Sequence, residues 1–248
     1  MIHSFLLIGQ SNMAGRGFIN EAIDINADRI KILRNGRWQP MFRPVNPDRA
    51  FSGVCLAESF AERYSQKYNT EVGLICCADG GTSLEQWQPG GLLFDNAVYN
   101  AELALRTSEI VGVLWHQGEA DCADSLNGTY VKRFMPIINE LRKRLNLYDV
   151  PFLLGGLGDF LADCQLDNDL INYEKVNKAL KEIAENNPFT GFVSAKGLTS
   201  NPDNLHFNSK SLYEFGIRYF EKYEEIRDKN KTFKEKVYND VTTKMEKL

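Results

Sequence analysis

Four short stretches of this chain carry side chains that could do chemistry together: Gly9-Gln10-Ser11-Asn12, Asp79-Gly80-Gly81-Thr82-Ser83, His116-Gln117-Gly118-Glu119 and Asp203-Asn204-Leu205-His206. Acyl transfer needs a nucleophile, a base to take its proton, a group that orients the base, and N–H donors for the oxyanion. Ser11 offers a hydroxyl nucleophile and a backbone N–H. Gly80 offers an N–H that no side chain obstructs, and Gln117 offers a side-chain amide as a third donor. His206 is the candidate base. Asp203, three residues ahead of it, can reach its imidazole N–H and fix the tautomer.

Each piece also has a plainer reading. Ser11 could cap whatever helix follows, Gly80-Gly81 could be a simple turn, and Asp203 could cap the last helix. Glu119 and Asp121 could ligate a metal, but no second histidine stands at a ligand spacing from them, so no metal and no other cofactor is expected. Of the three histidines, His3 begins the first strand at its amino end, away from the chemistry. His116 is at the correct edge, either as a hydrogen-bonded core residue or as the base.

The first three stretches converge if each follows a strand of one parallel sheet, because ligands bind at the carboxyl ends of such strands, and the loop carrying Asp203 and His206 can reach back over the same edge. The apolar runs fit. Strands are predicted over Phe5 to Ile8, Glu71 to Ala78, Ile110 to Trp115, Pro151 to Leu154 and Gly191 to Ser194. Amphipathic periods of 3.6 residues predict helices over 54–68, 94–107, 129–147 (with Pro136 a potential kink), 169–187 and from about Asn208. Strand–helix alternation at this spacing implies an α/β fold with a parallel sheet covered on both faces. Residues 16–50 are irregular and long for a loop. Arg16, Trp38, Phe42 and Arg43 there, with Trp87 in the second glycine loop, suit either an aromatic rim for a ligand or packed core. Trp87 and Trp115 flank the loops that carry two of the oxyanion donors, which leads to a tight acyl site that prefers acetate.

Composition excludes other classes. With 29 Lys and Arg against 33 Asp and Glu, the net charge of −4 offers nothing to nucleic acid or an anionic membrane surface. No apolar run approaches the roughly 18 residues of a membrane span. Five cysteines without a C-x-x-C argue against a disulfide framework or a zinc knuckle. The N-terminus shows no basic region or cleavage site, so the expected location is cytoplasmic, or secreted with the signal already removed. Residues 226–248 are dense in both charge signs with a sparse apolar stripe. They read as an amphipathic helix against the body or a second subunit, which would make a homo-oligomer, or as a frayed tail.

Gly9-Gln-Ser-Asn-Met-Ala-Gly15, Gly80-Gly-Thr-Ser-Leu-Glu-Gln-Trp87, Trp115-His-Gln-Gly-Glu119 and Asp203-Asn-Leu-His206-Phe207 resemble, in order, the blocks of SGNH hydrolases. The resemblance is closer to the branch holding sialate O-acetylesterases and acetyl xylan esterases. It implies a three-layer α/β/α sandwich with a five-stranded parallel sheet of flavodoxin-like type, over residues 1–225, with 226–248 appended. It implies a serine esterase that removes O-acetyl groups from a small-molecule or oligosaccharide substrate. In that scheme Ser11, His206 and Asp203 are catalytic, and Ser11, Gly80 and Gln117 form the oxyanion hole. Gln117 would replace the asparagine of other members, and Gln10, Arg16, Trp87 and Glu119 would meet the substrate. A short-acyl lipase or thioesterase, or a non-catalytic carbohydrate-binding protein, would use the same scaffold.

Overall fold

The computed structural model describes the backbone of residues 1–245 and the side chains of residues 1–229. The chain runs β1 (Ile2–Gly9), α1 (Ser11–Ala14), β2 (Ile30–Arg34), β3 (Arg37–Pro40), α2 (Ala57–Tyr68), β4 (Val72–Cys76) and α3 (Leu92–Leu105). It continues through β5 (Ser108–His116), α4 (Asp124–Asn127), α5 (Tyr130–Arg144), β6 (Phe152–Gly155), α6 (Tyr173–Asn186), β7 (Thr190–Val193) and α7 (Ser209–Met245). One sheet orders the strands β3-β2-β4-β1-β5-β6-β7. All neighbours are parallel except the β2–β3 hairpin at the edge.

Period-two alternation divides the sheet between two apolar layers. Leu6 and Ile8 of β1, Val113 and Trp115 of β5, and Phe152 and Leu154 of β6 pack with α3, α5 and α6. Phe5, Leu7, Leu114 and Leu153 face the other way, against α2 and α7. The result is the α/β/α sandwich expected, and β4-β1-β5-β6-β7 are the five strands read from the apolar runs. No described helix is long and apolar enough to cross a membrane.

The sheet has seven strands, not five. β2 and β3 come from the segment read as irregular, where Ile30, Ile32 and Leu33 alternate imperfectly with Lys31 and Arg34. Their turn is Asn35-Gly36, with φ of 52° and 70°. Positive φ at both positions is the two-residue turn whose twist matches a hairpin, and Asn-Gly is its strongest sequence signal. Pro40 sits where its missing N–H costs least, on the outer strand. Of the charged C-terminal segment 226–248, Ile226 packs against the second layer, and the rest of the apolar stripe, from residue 230 onward, lies outside the described residues.

Candidate active site

β1 sits between β4 and β5, so its carboxyl end opens at the point where chain connections leave in opposite directions, the usual ligand crevice of an open α/β sheet. Gly9 ends it with φ of 131°. A Cβ there would come within 2.0 Å of the His116 carbonyl oxygen, so only glycine lets β1 turn this close to β5. Gln10 is the residue before α1 and Ser11 its first residue, so Ser11 does not cap the helix.

Ser11 Oγ lies 3.1 Å from His206 Nε2, and His206 Nδ1 donates to Asp203 Oδ2 at 2.7 Å. Asp203 is no helix cap: its Oδ1 accepts the backbone N–H groups of Leu205 and His206 at 2.9 and 3.0 Å, six residues before α7 begins. Burial pushes its carboxyl up, but these N–H bonds and the imidazole outweigh burial and hold it below the ordinary carboxylate value. Asp203 is therefore ionised at neutral pH, and it keeps the Nε2 lone pair turned to Ser11. The other histidines stand apart. His3 Nδ1 meets the Tyr64 hydroxyl at 2.9 Å at the far end of β1. His116 is fully buried, with Nε2 against the Gly156 carbonyl at 3.1 Å, and burial lowers its pKa so that it stays neutral.

The other expected residues divide. Gln10, Arg16, Gly80 and Glu119 line one cleft of about 370 Å³ with Ser11 and His206. Gln10 Oε1 faces the N–H groups of Gly118 and Ala120 at 3.3 and 3.5 Å, and its NH2 group makes no hydrogen bond among the described residues. Gly80 is next to Ser11, yet its N–H donates to Asp48 Oδ2 at 2.8 Å. Gln117, expected as an oxyanion donor, has no exposure. Its amide donates to Thr82 O at 3.1 Å and to Asp121 Oδ2 at 2.6 Å, and Tyr130 donates to its Oε1. Asp121 also accepts from Leu84 N and from Arg133, so it is spoken for by the core rather than held open for an ion. Trp87, expected at the substrate, is also fully buried. Its Nε1 donates to Thr82, and its ring stands edge-on to Trp115 at 5.6 Å. The two tryptophans pack beneath the loops and do not line this cleft.

Three residues outside the expected set shape the cleft. Asn12 donates to Glu119 Oε1 at 2.6 Å and to Leu205 O at 3.2 Å, and it accepts from Phe207 N, so it clamps both sides of His206. It lies inside the first motif, where its neighbour drew the attention. Asp48 accepts from both terminal nitrogens of the Arg16 guanidinium, at 2.9 and 2.7 Å, and from Ser52 Oγ and Gly80 N. Burial raises its pKa, but Arg16, Ser52 and Gly80 together leave it below the ordinary value. Asn201 joins the histidine loop to the first motif: its N–H donates to His206 O at 2.7 Å and its side chain to Arg16 O at 2.9 Å. Nothing local in the sequence marks Asp48 or Asn201, because each earns its place only from the partner brought to it.

Residues 1–225 match the family described as carbohydrate esterases, sialic acid-specific acetylesterases. The chain is 28% identical to a probable carbohydrate esterase of Arabidopsis thaliana, At4g34215, over 88% of this chain and 89% of the plant protein. The crystal structure of that protein superposes with a TM-score of 0.79 at 27% identity, covering 90% of this chain and 98% of the other. NanS superposes with a TM-score of 0.73 at 18% identity over 92% and 98% of the two chains. A carbohydrate acetylesterase of Xanthomonas citri, XAC1771, superposes with a TM-score of 0.61 at 21% identity over 88% of this chain and 55% of that one.

Proposed function

The chain belongs to the sialic acid-specific acetylesterase family of carbohydrate esterases, and from that premise we propose that it hydrolyses O-acetyl esters of carbohydrates through a Ser-His-Asp acyl-enzyme. The observation that carries the reading is the unbroken line from Ser11 Oγ through His206 to Asp203. Ser11 Oγ attacks the acetyl carbonyl while its proton passes to His206 Nε2. Asp203 stays ionised and steadies the imidazolium. The tetrahedral intermediate collapses with cleavage of the bond to the sugar oxygen, which takes the proton from His206. Water, activated by the same nitrogen, then releases acetate and restores Ser11.

The Ser11 N–H, at the first turn of α1, is the oxyanion donor best supported by the geometry. Gln10 Nε2 is the unengaged side-chain donor on the same wall, a role the resemblance assigns to Gln117. Gly80 N–H serves only once Asp48 Oδ2 yields it. Acetate release from acetylated sugars by the native chain, against its Ser11→Ala variant, tests the reading. The variant is expected to fold normally and to lose at least about a thousandfold in kcat. Wild-type rates in the variant would refute the serine mechanism.

A further inference from the structure

Glu119 ends the third of the four chemical stretches, and none of the acyl-transfer steps uses it. It borders the cleft, yet its Oε1 is taken by Asn12 Nδ2 at 2.6 Å and its Oε2 is buried without a hydrogen-bond partner, so neither oxygen is offered to a substrate. Nothing behind it, among the described residues, meets the second oxygen. His116 Nδ1 stands 3.8 Å from Oε1, beyond hydrogen-bond length, and is itself without a partner. His116 Nε2 faces the Gly156 carbonyl, which only accepts, so that nitrogen carries the proton of the neutral ring and Nδ1 is a bare lone pair. A carboxylate buried on these terms destabilises the fold, and packing does not account for it.

What Glu119 holds is the residue beside the nucleophile. Asn12 follows Ser11 in α1, and the two ends of its amide reach either side of the base. Its Nδ2 donates to Leu205 O at 3.2 Å, and its Oδ1 accepts from Phe207 N at 3.1 Å. This clamp works in one orientation only. Turned over, the amide would set its oxygen against the Leu205 carbonyl and its NH2 against the Phe207 N–H. Asn12 is 1% exposed, so solvent offers the flipped form no partner. A carboxylate at Glu119, which only accepts, admits the working orientation and rejects the other.

We propose that Glu119 is a positioning residue for the base. It locks the Asn12 amide, and through the backbone on both sides of His206 it sets the 3.1 Å line from His206 Nε2 to Ser11 Oγ. Asp203 orients the imidazole, while Glu119 fixes where the loop that carries it stands against the nucleophile. The inference rests on the Ser-His-Asp reading and adds to it the group that holds the distance.

The test is steady-state hydrolysis of 4-nitrophenyl acetate by the native chain, Asn12→Asp, Glu119→Gln and the double variant, each change being nearly isosteric. Asn12→Asp sets oxygen against oxygen and is expected to lower kcat about a hundredfold with KM within about twofold, as a displaced base would. Glu119→Gln keeps an acceptor but also admits the flipped pair, and is expected to lose about fivefold in kcat. In the double variant the new amide donates to the new carboxylate, so kcat is expected to recover at least about tenfold over Asn12→Asp alone. Losses that simply multiply, a raised KM at native kcat, or native kcat in Asn12→Asp would each overturn the positioning role. If Asn12→Asp does not fold, Glu119→Leu is the second variant, expected to lose at least about tenfold in kcat at unchanged KM. Native kcat there overturns the role equally. Ser11→Ala keeps the two readings apart: native rates in it bring down the serine mechanism itself. An inactive Ser11→Ala beside indifferent Asn12 and Glu119 variants brings down only the role of Glu119.

Discussion

Two polar networks stand at the same edge of the sheet, a few residues from each other, and they do opposite things. The first, Ser11–His206–Asp203, opens onto the cleft, with the His206 side chain 18% exposed and that of Asp203 35%. The second, Gln117–Asp121–Thr82–Tyr130, is sealed: Gln117, Asp121 and Tyr130 have no exposure. Ser11 and Gln117 both follow strand ends, and both are candidates for catalysis on that ground. The difference teaches that position at a strand end brings a residue to the crevice, while the direction in which its side chain leaves the backbone decides whether a substrate meets it. The open network should therefore be sensitive in rate and the sealed one in stability.

Asp203→Asn should show the largest effect on rate. An amide cannot steady the imidazolium and favours the wrong tautomer, so kcat is expected to fall by about a thousandfold or more with KM little changed. Thermal unfolding and steady-state kinetics on one preparation check this, and a loss under tenfold would break the comparison. Gln117→Ala should do the reverse. It strips one donor from the buried Asp121 carboxylate and is expected to cost about 1–3 kcal/mol in denaturant unfolding, with kcat falling less than tenfold. An oxyanion donor would instead cost roughly a hundredfold to a thousandfold in kcat. That loss with unchanged stability would return Gln117 to the catalytic site.

The carboxylates sharpen the contrast through pH. Asp48 and Asp203 are both held below the ordinary value of 3.8. A carboxyl depressed in the folded state adds stability above its unfolded pKa and loses it as pH falls through the folded one. The contribution of these two groups to Tm should therefore stay constant from neutral pH down to about 4 and disappear below it. Asp48→Asn and Asp203→Asn should each flatten the acid limb. An acid limb unchanged in both variants would contradict the structure at these carboxyls. The smallest effect is expected from Trp87→Phe, which loses the bond to Thr82 and some core volume for about 1 kcal/mol. Its ratio of rates on acetate and butyrate esters should stay within about twofold of the native ratio. A larger change would put Trp87 back at the acyl wall.

The order of strands and helices, the edge where the chemistry gathers, and the residue types of the open network were all legible in the sequence, because they follow from local patterning. Apolar runs of strand length, helical periodicity and glycines at strand ends need no partner to be read. Asn35-Gly36 was equally legible as a hairpin turn, although the irregular alternation around it hid β2 and β3. Tertiary structure alone decided the rest. It turned Gln117 and Trp87 inward, where Asp121 and Thr82 had polar demands to satisfy. It laid Asp48 of an unpatterned segment across Arg16 and Gly80, and tied Asn201 to both Arg16 and His206. Those outcomes depend on which buried donors and acceptors come within reach of one another. That pairing exists only after distant segments have packed, so no local stretch of sequence carries it.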